Sequence, residues 1–170
     1  FFCNFVPQNK TKNYMEISIF DFDNTLVDTP YPESIEYMDQ DESLDETKWT
    51  FKPKKEINKI YEELPTSNLK VLLTNRIDVV QEEVVSLLEK RGITFDEHMF
   101  IEGREGNRSK GDRLKTLLKK YPETKKVSFW DDKQKHIDDM YKKSKDFNDI
   151  NFNFNLVKQW QEQEDYKAII

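Results

Sequence analysis

A short, β-rich apolar run that stops on carboxylates is the feature that most narrows what this chain can fold into. Ile17, Ile19, Phe20 and Phe22 crowd into Glu16 to Phe22, a density that reads as a buried strand. The run closes on Asp21-Phe22-Asp23-Asn24-Thr25, so two acids two residues apart leave the strand end together and can aim at one site.

The remainder alternates helices and strands. Pro53 suits the first turn of a helix on which Ile57, Ile60, Tyr61 and Leu64 recur at three-four spacing until Pro65 stops it. Leu69 to Leu73 is a second strand, breaking at Thr74-Asn75-Arg76. Asp78 then caps a helix carrying Val80, Val84, Leu87 and Leu88 as far as Gly92. A strand at His98 to Ile101, a helix from Lys110 to Tyr121, a strand at Lys126 to Trp130 and a helix holding Ile137, Met140 and Tyr141 continue the series. Ile150 to Val157 alternates apolar residues with Asn151, Asn153 and Asn155, the pattern of an edge strand or one covered on a single face. Strands separated by helices give an α/β fold, a three-layer α/β/α sandwich around a mainly parallel sheet. A length of 170 residues suits a single domain, with the core over about residues 16–157. Residues 1–14 and 158–170 are unassigned flanks, although Trp160, Ile169 and Ile170 suggest a short packed helix.

Composition narrows the chemistry. Cys3 is the only cysteine, which excludes an internal disulfide and a cysteine-built metal site, so any metal sits on oxygen ligands. No apolar stretch approaches the roughly 18 residues that cross a bilayer, and Phe1 to Pro7 lacks the charged start of a signal peptide; the expected address is cytoplasmic, with no membrane partner. The net charge of −6 argues against general nucleic-acid binding. It is unevenly spread: Asp28 to Thr47 holds acids and no base, whereas Arg104 to Lys126 is mostly basic. Both segments suit solvated faces.

The acids at the strand ends carry the chemistry. The fourth strand ends in Trp130-Asp131-Asp132, so two acid pairs meet at one sheet edge. Crowded carboxylates repel, and a hard cation such as Mg²⁺ relieves them. A calcium loop of the helix-loop-helix type is excluded, because Leu26 stands where that loop needs glycine and Pro32 where it needs a bidentate Glu. With a metal, Asp21 coordinates through one oxygen and attacks phosphorus with the other, and Asp23 gives a proton to the leaving oxygen and later takes one from water. The product is an aspartyl-phosphate. Phosphoryl transfer also needs donors and positive charge around the equatorial oxygens. Thr74 offers a hydroxyl after the second strand, and Lys110 an ammonium near the positive end of its helix. His98 and His136 are assigned structural or surface roles.

This order of motifs resembles the haloacid dehalogenase-like (HAD) superfamily of aspartate-nucleophile phosphatases over roughly residues 16–157. Its four motifs stand here as Asp21-Phe22-Asp23-Asn24-Thr25, Val71-Leu72-Leu73-Thr74, Lys110 and Asp131-Asp132. The resemblance implies a central five-stranded parallel sheet and Mg²⁺ held by Asp21, the backbone carbonyl of Asp23 and either Asp131 or Asp132. Asp132 is the favoured direct ligand, with Asp131 ligating through water or orienting Lys110. Leu72-Leu73-Thr74-Asn75-Arg76, the Trp49 region and Phe129 to His136 further resemble the Swiss Army Knife RNA repair-like branch and the 3′-phosphatase domains of polynucleotide kinases, from which Asn75 and Lys133 are departures.

Family members often close over small substrates with a large inserted cap, and neither the two dozen residues from Leu26 to Lys52 nor the loop after the third strand has room for one. An open site admits a DNA or RNA end. Thr25, Asn75, Arg76 and Arg108 are the expected substrate-binding residues; Arg104, Arg113 and Lys115 extend a track for a phosphate backbone, and Tyr31, Trp49 or Phe51 offers a stacking platform. The alternatives are a nucleotidase or other small-molecule phosphatase, and a non-catalytic phosphate-binding scaffold. Oligomeric state is not legible.

Overall fold

The computed structural model describes residues 16–29 and 52–157. Tyr31, Trp49, Phe51, most of the acidic insert and the C-terminal segment with Trp160 lie outside the described residues. Five parallel strands form the central sheet: β1 (Glu16–Phe20), β4 (Leu69–Ile77), β5 (Glu97–Ile101), β6 (Lys126–Asp131) and β7 (Asn151–Leu156), in the order β5-β4-β1-β6-β7. A two-residue antiparallel ladder joins β2 (Val27–Asp28) to β3 (Lys52–Pro53). The helices are α1 (Lys55–Glu63), α2 (Gln81–Glu89), α3 (Lys110–Lys120) and α4 (Gln134–Ser144).

The three layers follow from the period of two along each strand. Ile17 and Ile19 of β1, Val71 and Leu73 of β4, and Val127 and Phe129 of β6 face Leu114, Leu117 and Leu118 of α3 and Ile137 and Met140 of α4. The alternate residues Phe20, Leu72 and Trp130 face Ile57 and Tyr61 of α1 and Val84, Leu87 and Leu88 of α2. Phe20 and Trp130 pair in register and stack with centroids 4.5 Å apart. Full burial of rings of this size stabilises by about 1.5–3 kcal/mol each, so β1, covered on both faces, anchors the fold. β7 lies at the sheet edge and keeps Asn151, Asn153 and Leu156 open to solvent.

Beyond one-residue shifts at the ends of β5, α3, β6 and β7, four features differ from the sequence expectation. β1 ends at Phe20, because the backbone N–H of Asp21 still donates to the Trp130 carbonyl but Phe22 already starts a turn. Pro53 belongs to β3 rather than the first turn of α1, whose N-cap is Lys54. β4 runs on to Ile77 through a register irregularity after Leu73. Asp78 opens a single 3-10 turn ahead of α2, and its carboxylate accepts from the Gly103 N–H instead of capping the helix.

Candidate active site

The first acid pair is shaped by a tight loop after β1. The Phe22 carbonyl accepts from the N–H groups of Thr25, Leu26 and Val27, and Asn24 turns the chain with φ 56°, a left-handed conformation that Asn tolerates better than most residues. The Asn24 carboxamide oxygen accepts the Thr29 N–H at 3.1 Å, and the Thr29 hydroxyl donates to Asp23 at 2.6 Å. Thr25 is fully buried, and its hydroxyl has no hydrogen-bond partner among the described residues. Asp21 is buried at the end of β1 and Asp23 is partly open to solvent.

Lys110 reaches this loop from the first turn of α3. Ser109 caps that helix by accepting the Asp112 N–H at 3.0 Å, and its own hydroxyl donates to Asp139 of α4 at 2.9 Å. The Gly111 N–H donates to the same Asp139 oxygen. A Cβ on Gly111 would stand 2.5 Å from the Lys143 side chain and 2.8 Å from the Asp139 carbonyl oxygen, so glycine is what lets α3 lie this close to α4. The fully buried ammonium of Lys110 then sits 2.6 Å from Asp21 Oδ1 and 2.5 Å from Asp131 Oδ2.

Burial is the main influence on Asp21 and pushes its carboxyl up to about 7; Lys110 opposes the rise, while Asp131 and Asp23 add to it. Burial also acts upward on Asp131, but the hydrogen bond from His136 and the nearby Lys110 outweigh it and hold that carboxyl below its ordinary range. One ammonium cannot neutralise both carboxylates, and the excess negative charge suits a cation. Asp21, Asp131 and Asp132 offer oxygens that all lie within 4.8 Å of one another, a donor set that fits a hard divalent ion such as Mg²⁺.

The Thr74-Asn75-Arg76 segment supplies the third side. The Thr74 hydroxyl accepts the Arg76 N–H at 3.2 Å, within the irregular stretch of β4 where the register with β5 shifts. Arg76 then forks onto Asp23, with Nε 2.9 Å from Oδ2 and Nη2 2.7 Å from Oδ1. Arg113 is buried beneath the segment and donates to the carbonyls of Thr74 and Met99 and to the Asn75 carboxamide oxygen. Burial pulls its guanidinium down to about 10, which leaves it charged at neutral pH.

Asp21, Lys110 and Asp131 therefore converge, with Asp132 beside them and Asp23, held by Arg76, at the loop. The expected substrate-binding residues separate. Arg76 and Asn75 are engaged with neighbouring side chains, Thr25 is enclosed, and Arg108 lies exposed on the loop after β5, donating to the Arg104 carbonyl. Arg113, expected on a surface track, is instead a buried tie between β4 and β5, and Lys115 pairs with Asp146 of the α4–β7 connection. A basic residue on a helix has no sequence mark that tells a buried guanidinium from a solvated one.

His136, assigned a structural or surface role from the sequence, has the structural one, beside Asp131. It is buried, with Nδ1 3.0 Å from both oxygens of Asp131 and Nε2 3.3 Å from the Asn75 carboxamide nitrogen. The available signal was its place in the third position of α4 after the N-cap Lys133, from which a side chain reaches back over the helix start.

A cavity of about 820 Å³ opens elsewhere, beside the edge strand β5. Asp78, Glu97, Glu102, Glu105 and Asp112 line it together with Arg113 and Lys120, and Glu97 and Asp112 are paired with Lys120 and Lys143.

A family model described as a protein of unknown function (DUF2608) matches residues 99–168. No curated protein matches. Among solved structures, the HAD domain of effector protein Lem4 from Legionella pneumophila, an inactive mutant, is similar with a TM-score of 0.59 at 15% identity, over 91% of this chain and 92% of that one. A second structure of the same domain gives a TM-score of 0.55 at 16% identity, over 91% and 93%. At such identities the likeness is one of fold, and by its five-stranded parallel sheet and helical layers this chain has the α/β fold of HAD domains.

Proposed function

We propose that the chain is a Mg²⁺-dependent phosphomonoester hydrolase working through an aspartyl-phosphate on Asp21. The observation that carries this is the ammonium of Lys110 held between Asp21 and Asp131 in a buried setting, 2.6 Å and 2.5 Å away. A lysine so placed favours the ionised form of Asp21 against the opposing effect of burial and brings positive charge to where phosphoryl oxygens gather. Asp21, Asp132 and Asp131 are the side chains that would hold the ion, which when bound supplies charge neutralisation and orients the phosphate.

In the first half-reaction Asp21 attacks phosphorus in line, the ester P–O bond breaks, and Asp23 protonates the leaving oxygen. In the second, Asp23 takes a proton from water, whose oxygen attacks phosphorus, releasing inorganic phosphate and free Asp21. Thr74 is the candidate hydroxyl donor to the phosphoryl oxygens.

For the substrate, the engagement of Arg76, Arg113 and Lys115 leaves Arg104 and Arg108 as the exposed arginines of the segment after β5. Two arginines suit a nucleotide or another small phosphomonoester, whereas a nucleic-acid 3′ end, the reading favoured by the RNA-repair-like resemblance, is supported by the exposed Lys133 and Lys135 that follow Asp132. The purified chain with Mg²⁺, offered p-nitrophenyl phosphate, a nucleotide panel and a 3′-phosphorylated oligonucleotide, tests this directly. Phosphate release that disappears in Asp21→Asn is expected. No release from any ester leaves the phosphate-binding scaffold as the function.

A further inference from the structure

We propose that His136 is a positioning residue which, as the tautomer protonated on Nδ1, couples Asn75 and Arg113 to Asp131 and so fixes Lys110 against Asp21. The proposal rests on Asp21 being the nucleophile, and its structural part stands independently of that.

Hydrogen-bond chemistry dictates the tautomer. An arginine side chain offers donors only, so the atom of Asn75 that meets the Arg113 guanidinium is the carboxamide oxygen. Its nitrogen then faces His136 Nε2 at 3.3 Å. That nitrogen only donates, so Nε2 must present a lone pair and the imidazole proton sits on Nδ1. From Nδ1 it is donated to Asp131 at 3.0 Å. Asp131 also accepts the Lys133 N–H at 2.8 Å and the Lys110 ammonium at 2.5 Å. Donors therefore converge on the carboxylate from three directions, and its plane is locked.

The far end of the chain of contacts is equally fixed, because Arg113 is tied to the backbone carbonyls of Thr74 and Met99 in β4 and β5. The relay from Arg113 through Asn75, His136 and Asp131 to Lys110 thus spans the sheet from its β5 edge to β6. Buried polar networks of this kind orient their members best when each group is satisfied, and a ligand-orienting imidazole depends on what its second nitrogen meets. Asn75, placed next to Thr74, is therefore the residue that selects the tautomer.

The test combines NMR on the metal-free chain, ¹⁵N-labelled at histidine and lysine, with steady-state kinetics. His136 is expected to show a protonated Nδ1 and a bare Nε2, the tautomer that free histidine disfavours. Asn75→Ala and Asn75→Asp should lose that pattern and move the Lys110 ammonium resonance. Both should lower kcat by about 10–100-fold while KM for p-nitrophenyl phosphate changes by less than about twofold. His136→Asn, which keeps an N–H near the Nδ1 position, should recover part of the kcat lost in His136→Ala. An Nε2-protonated His136 in the wild type overturns the proposal, as does an Asn75→Ala chain with unchanged Lys110 resonance and kcat. If the wild type releases no phosphate but the tautomer and the Lys110 response are as stated, the hydrolase function fails and the relay stands.

Discussion

Arg76 grips Asp23 with a two-point fork, Nε on one carboxylate oxygen and Nη2 on the other, at 2.9 and 2.7 Å. The planar guanidinium matches a carboxylate in a way that a lysine ammonium cannot. Arg76→Lys should keep the charge but release one oxygen, lowering kcat about tenfold with the fold intact. Arg76→Met should in addition cost about 1–3 kcal/mol of stability, because it strands a partly buried carboxylate. Chemical denaturation and p-nitrophenyl phosphate turnover measure the two effects separately, and an Arg76→Met chain with wild-type turnover would show that the fork is dispensable.

Stability should depend on pH through Asp21. Its folded carboxyl is raised from 3.8 to about 7, so the folded state binds this proton more tightly than the unfolded chain. That contribution is complete below about pH 4 and is lost as pH rises through 7. In metal-free protein, Asp21→Asn should therefore lie within about 1 kcal/mol of the wild type near pH 4.5 and exceed it by on the order of 2–4 kcal/mol at pH 8. Paired urea denaturation curves at the two pH values provide the check, and a pH-independent difference would contradict the assignment.

Mg²⁺ should raise the melting temperature of the wild type more at pH 8 than at pH 5, because the carboxylates must be ionised to receive it. At a hundred times its dissociation constant the ion adds about 2.7 kcal/mol. Asp132→Asn should remove most of this gain. Asp131→Asn should destabilise the chain even without metal, since Asp131 is fully buried and serves both Lys110 and His136. Equal responses of the two variants would refute this division of roles.

Gly111→Ala should damage the site from a distance. The new methyl meets the Asp139 carbonyl oxygen, a backbone atom, at 2.8 Å, so α3 must move from α4 at a cost of about 1–3 kcal/mol. Lys110 is the adjacent residue and moves with it, so kcat should fall by more than the loss of folded protein explains. Thermal unfolding beside single-substrate kinetics separates the two.

The strands and their order of appearance were legible because apolar residues repeat with periods of two and 3.6, which the sheet and helix geometry impose locally. Gly92, with φ 74° beyond α2, is similarly local. The irregular end of β4 was harder: Thr74-Asn75-Arg76 looks like a break, but Arg113 and the pairing with β5 keep it in the sheet.

What the amino-acid order determined by itself was the alternation of strands and helices and the presence of Asp21, Asp23, Lys110, Asp131 and Asp132 at or next to their ends, because each depends on neighbours in the chain; Thr74 lies inside β4. Only the tertiary structure decided which side chains face one another. Lys110 meets Asp21 across 89 positions, and Arg76 meets Asp23 across 53. Those pairings arise from the parallel sheet setting β1, β4 and β6 side by side and from α3 packing close to α4 at Gly111. The same charged residue is a solvated cation or a buried tie according to what the fold brings opposite it, and that is a property of position in space.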